Sequence, residues 1–215
     1  MAQTLYLHSK NPQPERVDTV VGALRGGAVL LYPTDTVWAI GCDLNSKSAI
    51  ERVRRLKRLA NDKPLTFLCP SLSNIAAYAN VSDQAYRLMR HLIPGPFTFL
   101  LPATKLVPRL VLNPKRKTTG IRVPDHILCQ ALLAGLGNPL ISTSAHLGDG
   151  SEPELEVELF EGLDRLVDVI VRTEETSPDT SVSSAHVSTV IDLTADEPVI
   201  VRQGLGWEQA TSFLK

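Results

Sequence analysis

Short apolar segments alternate along this chain with segments of helical periodicity, and this alternation limits the possible folds more than any other feature. The apolar segments are four to six residues long and rich in β-branched and aromatic residues, so they predict buried strands. In the first helical segment, apolar residues recur at the i, i+3, i+4 and i+7 positions from Val17 to Leu24. Strands alternating with helices indicate an α/β protein, in which helices pack against a twisted, mostly buried sheet.

The predicted elements form one series without an internal repeat, so the sequence indicates a single domain over residues 1–215 with a core at about 15–205. Strands are predicted at 28–32, 65–69, 97–101, 120–123, 139–143, 167–171, 188–193 and 199–202. Helices are predicted at about 17–24, 45–59, 71–79, 82–92, 127–136 and 154–166, several of them after a serine that can cap them. Residues 173–187 are polar and predict an exposed loop.

The composition argues against several classes of protein. Hydrophobic residues make up 43% of the chain and charged residues 21%, which is typical of a soluble globular protein. No apolar stretch approaches the roughly 18 residues of a membrane-spanning helix, and the N-terminus lacks the apolar core of a signal peptide. Cys42, Cys69 and Cys129 are widely spaced, which disfavours both a zinc site and a disulfide framework. We therefore expect a protein of the reducing cytoplasm with no metal site of its own.

The net charge of −1 conceals a strong asymmetry along the chain. Residues 51–122 contain fourteen Lys and Arg against three Asp and Glu, whereas residues 123–215 contain four against sixteen. Two interpretations remain open. The basic and acidic parts can form solvated surfaces that neutralise each other. Alternatively, the basic part can line a surface that binds phosphate or nucleic acid.

Two segments place polar side chains at the ends of predicted strands or helices, where binding sites of α/β proteins lie. In Tyr32-Pro33-Thr34-Asp35-Thr36, the proline fixes the exit from a strand and precedes two hydroxyls and a carboxylate. In RRLKRLANDKP at 54–64, Lys57, Arg58 and Lys63 can pair with a phosphate or a carboxylate. An ordinary polar turn also explains the first segment, and the helix dipole alone favours cations at the end of a helix.

A third segment, ISTSAHLGDG at 141–150, ends a predicted strand with Ser142, Thr143 and Ser144. Small hydroxyls and accessible backbone amides are typical of an anion-binding turn. His146 follows them; an imidazole can titrate near neutral pH, but a single loop histidine is also common as a surface hydrogen-bonding residue. The chain has no Walker A segment, no GxGxxG and no GxSxG, which disfavours the common phosphate loops and a serine hydrolase.

Seven segments occur in a specific order: YPTDTVWAIGCD, LKRLANDKPL, PGPFTFLLPAT, GIRVPDH, PLISTSA, STVIDLT and VIVRQG. Together they resemble the YrdC/YciO family, and the likeness covers about residues 15–205. The chain length, the KRKTTGIRVP stretch and the STSA turn are most similar to the YciO branch. The family includes the threonylcarbamoyl-AMP synthases, nucleotidyltransferases that begin the tRNA modification t6A.

The resemblance implies an α/β fold with a large, positively charged concave groove. In the synthases this groove holds ATP, L-threonine and bicarbonate, and Mg²⁺ accompanies the nucleotide. Threonine and bicarbonate form a carbamate, which attacks the α-phosphate and releases pyrophosphate. Double-stranded RNA or tRNA is a second kind of partner that the resemblance suggests.

The resemblance also implies roles for individual residues. Thr34 would contact the substrate amino acid, and Lys57 would face a carboxylate or phosphate as the lysine of a Lys-x-Arg motif. Arg122 would flank the nucleotide, Ser144 would be the serine of a Ser-x-Asn phosphate turn, and Arg202 would approach the nucleotide from the C-terminal part. The complete set assigned to nucleotide binding is Arg58, Lys63, Arg122, Ser142, Ser144, His146 and Arg202.

Two positions depart from the family pattern. The arginine of Lys-x-Arg falls on Leu59, and Arg58 lies one residue earlier, about 100° around a helix. The asparagine of Ser-x-Asn is His146 here. Three hypotheses follow: a synthase-like enzyme that uses ATP, L-threonine and bicarbonate; an RNA-binding protein that keeps the groove without this chemistry; and a related reaction with another amino acid or carbamoyl donor.

Overall fold

A mixed β-sheet organises the computed structural model, which describes residues 1–58, 64–146, 155–174 and 187–214. The strands in these ranges are β1 (Gln3–Leu7), β2 (Leu30–Tyr32), β3 (Ala39–Asp43), β4 (Thr66–Leu68), β5 (Phe97–Pro102), β6 (Thr118–Arg122), β7 (Leu140–Ser144), β8 (Val169–Thr173), β9 (Thr189–Asp192) and β10 (Val199–Arg202). Their order across the sheet is β1-β8-β2-β3-β7-β4-β6-β5-β9-β10. Parallel and antiparallel neighbours both occur, for example β1 with β8 and β2 with β3.

The helices in the described ranges are α1 (Pro14–Arg25), α2 (Lys47–Leu56), α3 (Asp83–Leu92), α4 (Ile127–Leu136), α5 (Glu156–Leu163) and α6 (Trp207–Phe213), and Leu72–Ala77 is a 3₁₀ helix. Ser46 Oγ accepts from the N–H of Ala49, and Ser82 Oγ from that of Ala85, which satisfies a donor in each first turn. None of these helices has the length and apolar character needed to cross a membrane. All eight predicted strands are present, and the predicted α/β class is confirmed.

The structure also corrects parts of the prediction. The sequence pattern does not predict β1, β3 or α6. Strand β1 lies at the edge of the sheet and is mostly exposed, and α6 is short, so neither has a full apolar pattern. Strand β3 contains Gly41, a residue that lowers strand propensity; a Cβ there would lie 2.9 Å from the ring of Tyr32.

Two predicted helices are shorter than expected. Residues 71–79 form only the 3₁₀ helix, and α2 ends at Leu56 instead of about residue 59. The early end of α2 follows from Arg58, whose φ of 47° lies outside the helical region. Most of the predicted loop at 173–187, residues 175–186, lies outside the described part of the chain.

Helices cover the two faces of the sheet unequally. One face, the back face, packs against α2, α3, α5 and α6 in a large apolar cluster that includes Phe67, Phe99 and Ile121 of the sheet. The other face, the front face, packs against α1 and α4, whose apolar residues cluster with Leu30, Tyr32 and others from β1, β8, β2 and β3. In the described ranges no helix covers the front face of β6, β5, β9 and β10. This uncovered half is what leaves room for a groove.

Ion pairs between distant parts of the chain explain part of the charge asymmetry. Arg52 of α2 makes two hydrogen bonds to the carboxylate of Asp168, of 2.7 and 3.0 Å. Arg116 pairs with Asp192 at the end of β9 at 2.6 Å. Both cations belong to the basic segment and both acids to the acidic one, so the neutralising interpretation is correct for these pairs.

Candidate active site

The groove on the front face brings together residues from most of the candidate segments. It encloses a cavity of about 270 Å³. The residues that line it are Thr34, Thr36, Val37, Ala39, Pro64, Thr66, Leu68, Thr98, Leu100, Arg122, Ser142, Thr143, Ser144, Val187, Ser188, Val190 and Arg202. Hydroxyls dominate the polar part of this lining, and among the described residues Arg122 and Arg202 are its cations. Such a lining suits an anionic ligand with further hydrogen-bonding groups.

The floor of the groove is open because its central strand carries a glycine. Gly120 of β6 pairs with Thr66 of β4 and with Leu100 of β5. A Cβ at Gly120 would lie 3.3 Å from Thr66 Oγ1, which is tight, and 3.5 Å from Thr98 Cγ2, which is ordinary van der Waals contact. Because glycine has no side chain, space remains at this position for the two threonines to reach the cavity.

One wall of the groove is the strand-end motif, whose hydroxyls form a chain of hydrogen bonds. Arg122 Nη1 donates to Thr36 Oγ1 at 2.8 Å, and the hydroxyls of Thr36 and Thr34 are 3.1 Å apart. Thr34 Oγ1 donates to the carbonyl of Val37 at 2.7 Å. A guanidinium only donates and a carbonyl only accepts, so the chain has a fixed direction from Arg122 to Val37. Thr34 Oγ1 also accepts from the backbone N–H of Thr36 at 3.1 Å, so its hydrogen and both of its lone pairs are engaged within the motif.

The two arginines of the groove have different surroundings. Arg122 pairs with Asp35 at 2.6 Å, and both side chains are almost fully buried. Arg202 donates instead to Ser188, through Nε to the carbonyl at 3.0 Å and through Nη2 to Oγ at 2.9 Å. Partial burial and the nearby charge of Arg122 both lower the pKa of Arg202. A bound anion would relieve this repulsion between the two cations.

The STSA turn contributes through Ser142 and Ser144, which line the groove beside the strand-end motif. Tyr32, at the end of β2, donates a 2.7 Å hydrogen bond from its buried hydroxyl to Ser142 Oγ. Strands β3 and β7 are antiparallel neighbours in which Ala39 lies opposite Ser144. The first and third candidate segments therefore meet at one wall of the groove.

Three further predicted site residues, Lys57, Arg58 and His146, are described but are not among the residues that line the groove. Lys57 is the C-terminal cap of α2 and is half-buried, and Arg58 is exposed beside it. His146 follows β7 and is half-buried; its Nε2 is buried without a hydrogen-bond partner among the described residues. Lys63 and Leu59 lie outside the described residues. The described residues thus bring together Thr34, Arg122, Ser142, Ser144 and Arg202, and the roles of the other four site residues remain predictions.

Three polar groove residues were not singled out from the sequence: Thr66, Thr98 and Ser188. A signal for two of them exists, because Thr66 and Thr98 each interrupt an apolar strand, in LTFL and FTFL. One polar residue in a buried strand places a hydroxyl on a single face of the sheet. No comparable local signal marks Ser188.

A second cavity, of about 480 Å³, lies between α3 and α6 on the back face. Its walls are Gln84, Arg87, Leu88, His91, Pro198, Phe213 and Leu214. It is larger than the groove, but it contains none of the candidate motif residues and its polar side chains belong to exposed helix surfaces. Size alone does not make it the functional site.

Comparisons with known proteins agree with this fold. Residues 22–204 match the Sua5/YciO/YrdC family, which carries the description "Telomere recombination". The uncharacterized protein YciO of Escherichia coli K12 is 40% identical over 210 residues, which cover 96% of this chain and 97% of that protein. The threonylcarbamoyl-AMP synthase of Vibrio vulnificus YJ016 is 33% identical over 155 residues, 71% of this chain and 83% of that protein.

Solved structures are similar as well. The crystal structure of E. coli YciO has a TM-score of 0.84 at 40% identity and covers 95% of this chain and 97% of that one. P. abyssi Sua5 complexed with L-threonine also has a TM-score of 0.84, over 98% of this chain and 60% of that longer one. Its sequence identity is 24%, so this likeness supports the fold alone. From the family match and the similarity to YciO over nearly its whole length, this chain belongs to the Sua5/YciO/YrdC family.

Proposed function

We propose that the protein is an enzyme of the threonylcarbamoyl-AMP synthase type that binds ATP, L-threonine and bicarbonate in the front-face groove. The observation that carries the proposal is the convergence of four distant segments on one cavity, represented by Thr34, Arg122, Ser144 and Arg202. A relative named threonylcarbamoyl-AMP synthase, at 33% identity, supports the same reaction class.

The lining of the groove fits both organic substrates. Arg122 and Arg202 can face the phosphates of ATP, and the surrounding serine and threonine hydroxyls can donate to phosphate oxygens. Thr34 lines the groove, and an N–H group of an amino acid can replace the Thr36 hydroxyl as a donor to its oxygen. P. abyssi Sua5, which has the same fold, has been crystallised in complex with L-threonine.

The proposed reaction has two steps. Bicarbonate condenses with the amino group of threonine, which releases water and forms a carbamate. An oxygen of the carbamate then attacks the α-phosphorus of ATP, the bond to the β-phosphate oxygen breaks, and pyrophosphate leaves. Charge accumulates on the phosphates during this step, and fixed cations such as Arg122 and Arg202 stabilise such charge.

Mg²⁺ would enter with the nucleotide in this proposal. The described residues contain no group of three His, Cys, Asp or Glu side chains that could hold a metal ion. Asp35 is the acid beside the groove, and both of its oxygens already accept hydrogen bonds. The triphosphate would therefore supply most ligands of the ion, as is common for Mg²⁺.

The direct test is release of pyrophosphate by the pure protein with ATP, Mg²⁺, bicarbonate and L-threonine. We expect release that depends on threonine and that falls at least tenfold in Arg202→Ala. The matched control is Arg87→Ala, which removes an exposed arginine from the cleft between α3 and α6. Release no greater than without threonine would reject the proposal.

Binding of double-stranded RNA is the second candidate function, and one surface favours it. Arg54 donates to the carbonyl of Leu110, which joins α2 to the segment between β5 and β6. Two basic stretches thereby become neighbours, and their exposed cations include Arg55, Arg58, Lys105, Arg109 and Lys117. The segment from 103 to 117 contains no acidic residue. A continuous basic surface of this kind can contact phosphates along a duplex.

Salt dependence tests this candidate. We expect affinity for a short RNA duplex to fall steeply between low and physiological salt, and the slope to decrease in the double variant Lys105→Gln/Arg109→Gln. Arg202→Ala is the control, because it alters the groove and leaves this surface unchanged. Affinity that is absent at low salt, or equal in the double variant, would exclude RNA binding at this surface.

A further inference from the structure

Asp35 is the acidic residue of the strand-end motif, and its carboxylate is committed within the protein. Oδ1 accepts from Arg122 Nη2 at 2.6 Å, and Oδ2 accepts from the backbone N–H of Asp125 at 3.1 Å. The side chain is only 10% exposed and is not among the residues that line the groove. Both oxygens therefore already have a partner within the protein, and the side chain lies outside the groove lining.

We propose that Asp35 is a positioning residue, which holds Arg122 and the start of α4 against the groove and does not itself bind substrate or metal. The inference rests on the proposed function only in taking ATP as the ligand that Arg122 meets. The three residues Asp35, Arg122 and Asp125 are called the clamp below.

The first task of the clamp is to fix the guanidinium of Arg122. Its two terminal nitrogens each have one fixed acceptor, Asp35 through Nη2 and Thr36 through Nη1. Two contacts at the end of a planar group define both its position and its plane. Arg122 Nε is buried and has no hydrogen-bond partner among the described residues. The clamp thus holds the cation and leaves part of its donor capacity unused.

The second task of the clamp is to dock α4 onto the wall of the groove. The N–H of Asp125 lies just before α4, whose N-cap is His126. One turn further along, Cys129 Sγ donates to the carbonyl of Pro33 at 3.3 Å. The N–H that precedes the start of α4 therefore points at the carboxylate of Asp35. Loop, strand and helix are joined at one carboxylate.

Loss of the carboxylate would leave Arg122 buried with no opposite charge. A buried cation without a counterion is strongly disfavoured, so the side chain would turn toward water. The groove would keep its shape, but the guanidinium of Arg122 would no longer be held in place before the ligand binds. Affinity for phosphates depends on such fixed groups. Asp35 therefore affects ATP binding through Arg122. A residue that bound substrate or metal directly would keep its effect even without Arg122.

A double-mutant cycle tests this dependence. We expect Asp35→Asn to raise the Kd for ATP about tenfold, which is the scale of one hydrogen bond to a charged group. In an Arg122→Leu background, the same change should have an effect of less than about twofold. Equal effects in both backgrounds, or no effect in the parent, would overturn the inference. Asp192→Asn is the matched control, because Asp192 pairs with Arg116 and lies outside the groove lining.

A second readout separates this inference from the proposed function. Phenylglyoxal modifies accessible arginines, and peptide mass spectrometry gives the rate at each position. Asp35→Asn should accelerate modification of Arg122 several-fold and leave Arg116 unchanged. If the parent binds no ATP, the proposed function fails and this rate alone decides the role of Asp35; an unchanged rate refutes it. If Asp35→Asn does not fold, Asp35→Glu, which keeps the charge but shifts it by one methylene, takes its place in both experiments.

Discussion

The hydroxyl of Tyr32 and the hydroxyl of Ser142 form a buried hydrogen bond of 2.7 Å, although 110 residues separate them in the chain. The bond joins the start of the strand-end motif to the STSA turn. The Tyr32 ring also packs against Gly41 of β3, where any side chain would meet it. Two motifs that carry the family resemblance are thus parts of one packed unit behind the groove.

Replacing Tyr32 by phenylalanine should destabilise this unit without leaving a cavity in its packing. The ring remains, but Ser142 Oγ loses its donor, and the expected loss in the free energy of unfolding is about 1 kcal/mol. Urea denaturation of the parent and the variant measures the difference. Tyr6→Phe is the control, since Tyr6 is an exposed residue of an edge strand. Equal stability of Tyr32→Phe and the parent would show that the bond contributes nothing.

Filling the floor of the groove should block the ligand. In Gly120→Val the new side chain would crowd Thr66 and Thr98 and occupy the cavity, so we expect the affinity for ATP to fall at least about tenfold. The control is Gly22→Ala on α1, where a Cβ meets no atom within 4 Å and the helix should gain up to about 1 kcal/mol. Calorimetric titration gives both affinities, and circular dichroism checks the fold. Unaltered affinity in Gly120→Val would place the ligand elsewhere.

The acidic third of the chain should stabilise the basic third in a pH-dependent way. Burial opposes ionisation of Asp168, but hydrogen bonds from Arg52 and from the N–H of Val29 outweigh it and lower the pKa of Asp168. A pKa that is lower in the folded state means that the unfolded state binds more protons. The stabilisation is therefore fully present above the unfolded pKa of about 4, and it is lost as the pH falls below that value through the lower pKa of the folded state.

Asp168→Asn tests this prediction. The parent should be more stable than the variant at pH 7, and the difference should shrink as the pH falls below about 4. Salt should reduce it, because both side chains of the pair are about 40% exposed. Asp196→Asn serves as the control, since Asp196 is exposed and has no ion pair in the described part of the chain. A difference that is independent of pH would mean that packing, not charge, links the two parts.

Arg202 should matter for ligand binding far more than for folding. It is the groove cation that contacts neutral oxygen atoms of Ser188 instead of a carboxylate. We expect Arg202→Lys to weaken ATP binding about tenfold. An ammonium cannot reproduce the two hydrogen bonds to Ser188 that hold the guanidinium in place. The melting temperature should change little. A loss of stability with unchanged affinity would assign Arg202 a purely structural role.

Much of the fold follows from sequence periodicity, but the position of the groove does not. The eight predicted strands and the bounds of α4 were readable because their apolar patterns are strong. The uncovered half of the front face depends on which strands α1 and α4 cover, which only the strand order of the sheet decides. The apolar pattern of a single segment does not determine the order of the strands in the sheet.

The site residues divide in the same way. Thr34, Ser144 and Arg202 were predicted because each belongs to a motif that resembles the family. Thr98 and Ser188 were missed, since their hydroxyls meet at 2.9 Å only after β5 and β9 pair. Lys57 was assigned from its motif; it caps α2 and is not among the described residues that line the groove, so its role stays a prediction. The role of Asp35 required the coordinates, because its two partners lie 87 and 90 residues away.

The most direct measurement is a crystal structure of the protein grown with ATP, Mg²⁺ and L-threonine. The account predicts phosphate density between Arg122 and Arg202, and amino acid density beside Thr34. Density confined to the cleft of Arg87 and His91, or a groove that remains closed to both ligands at saturating concentration, would contradict it.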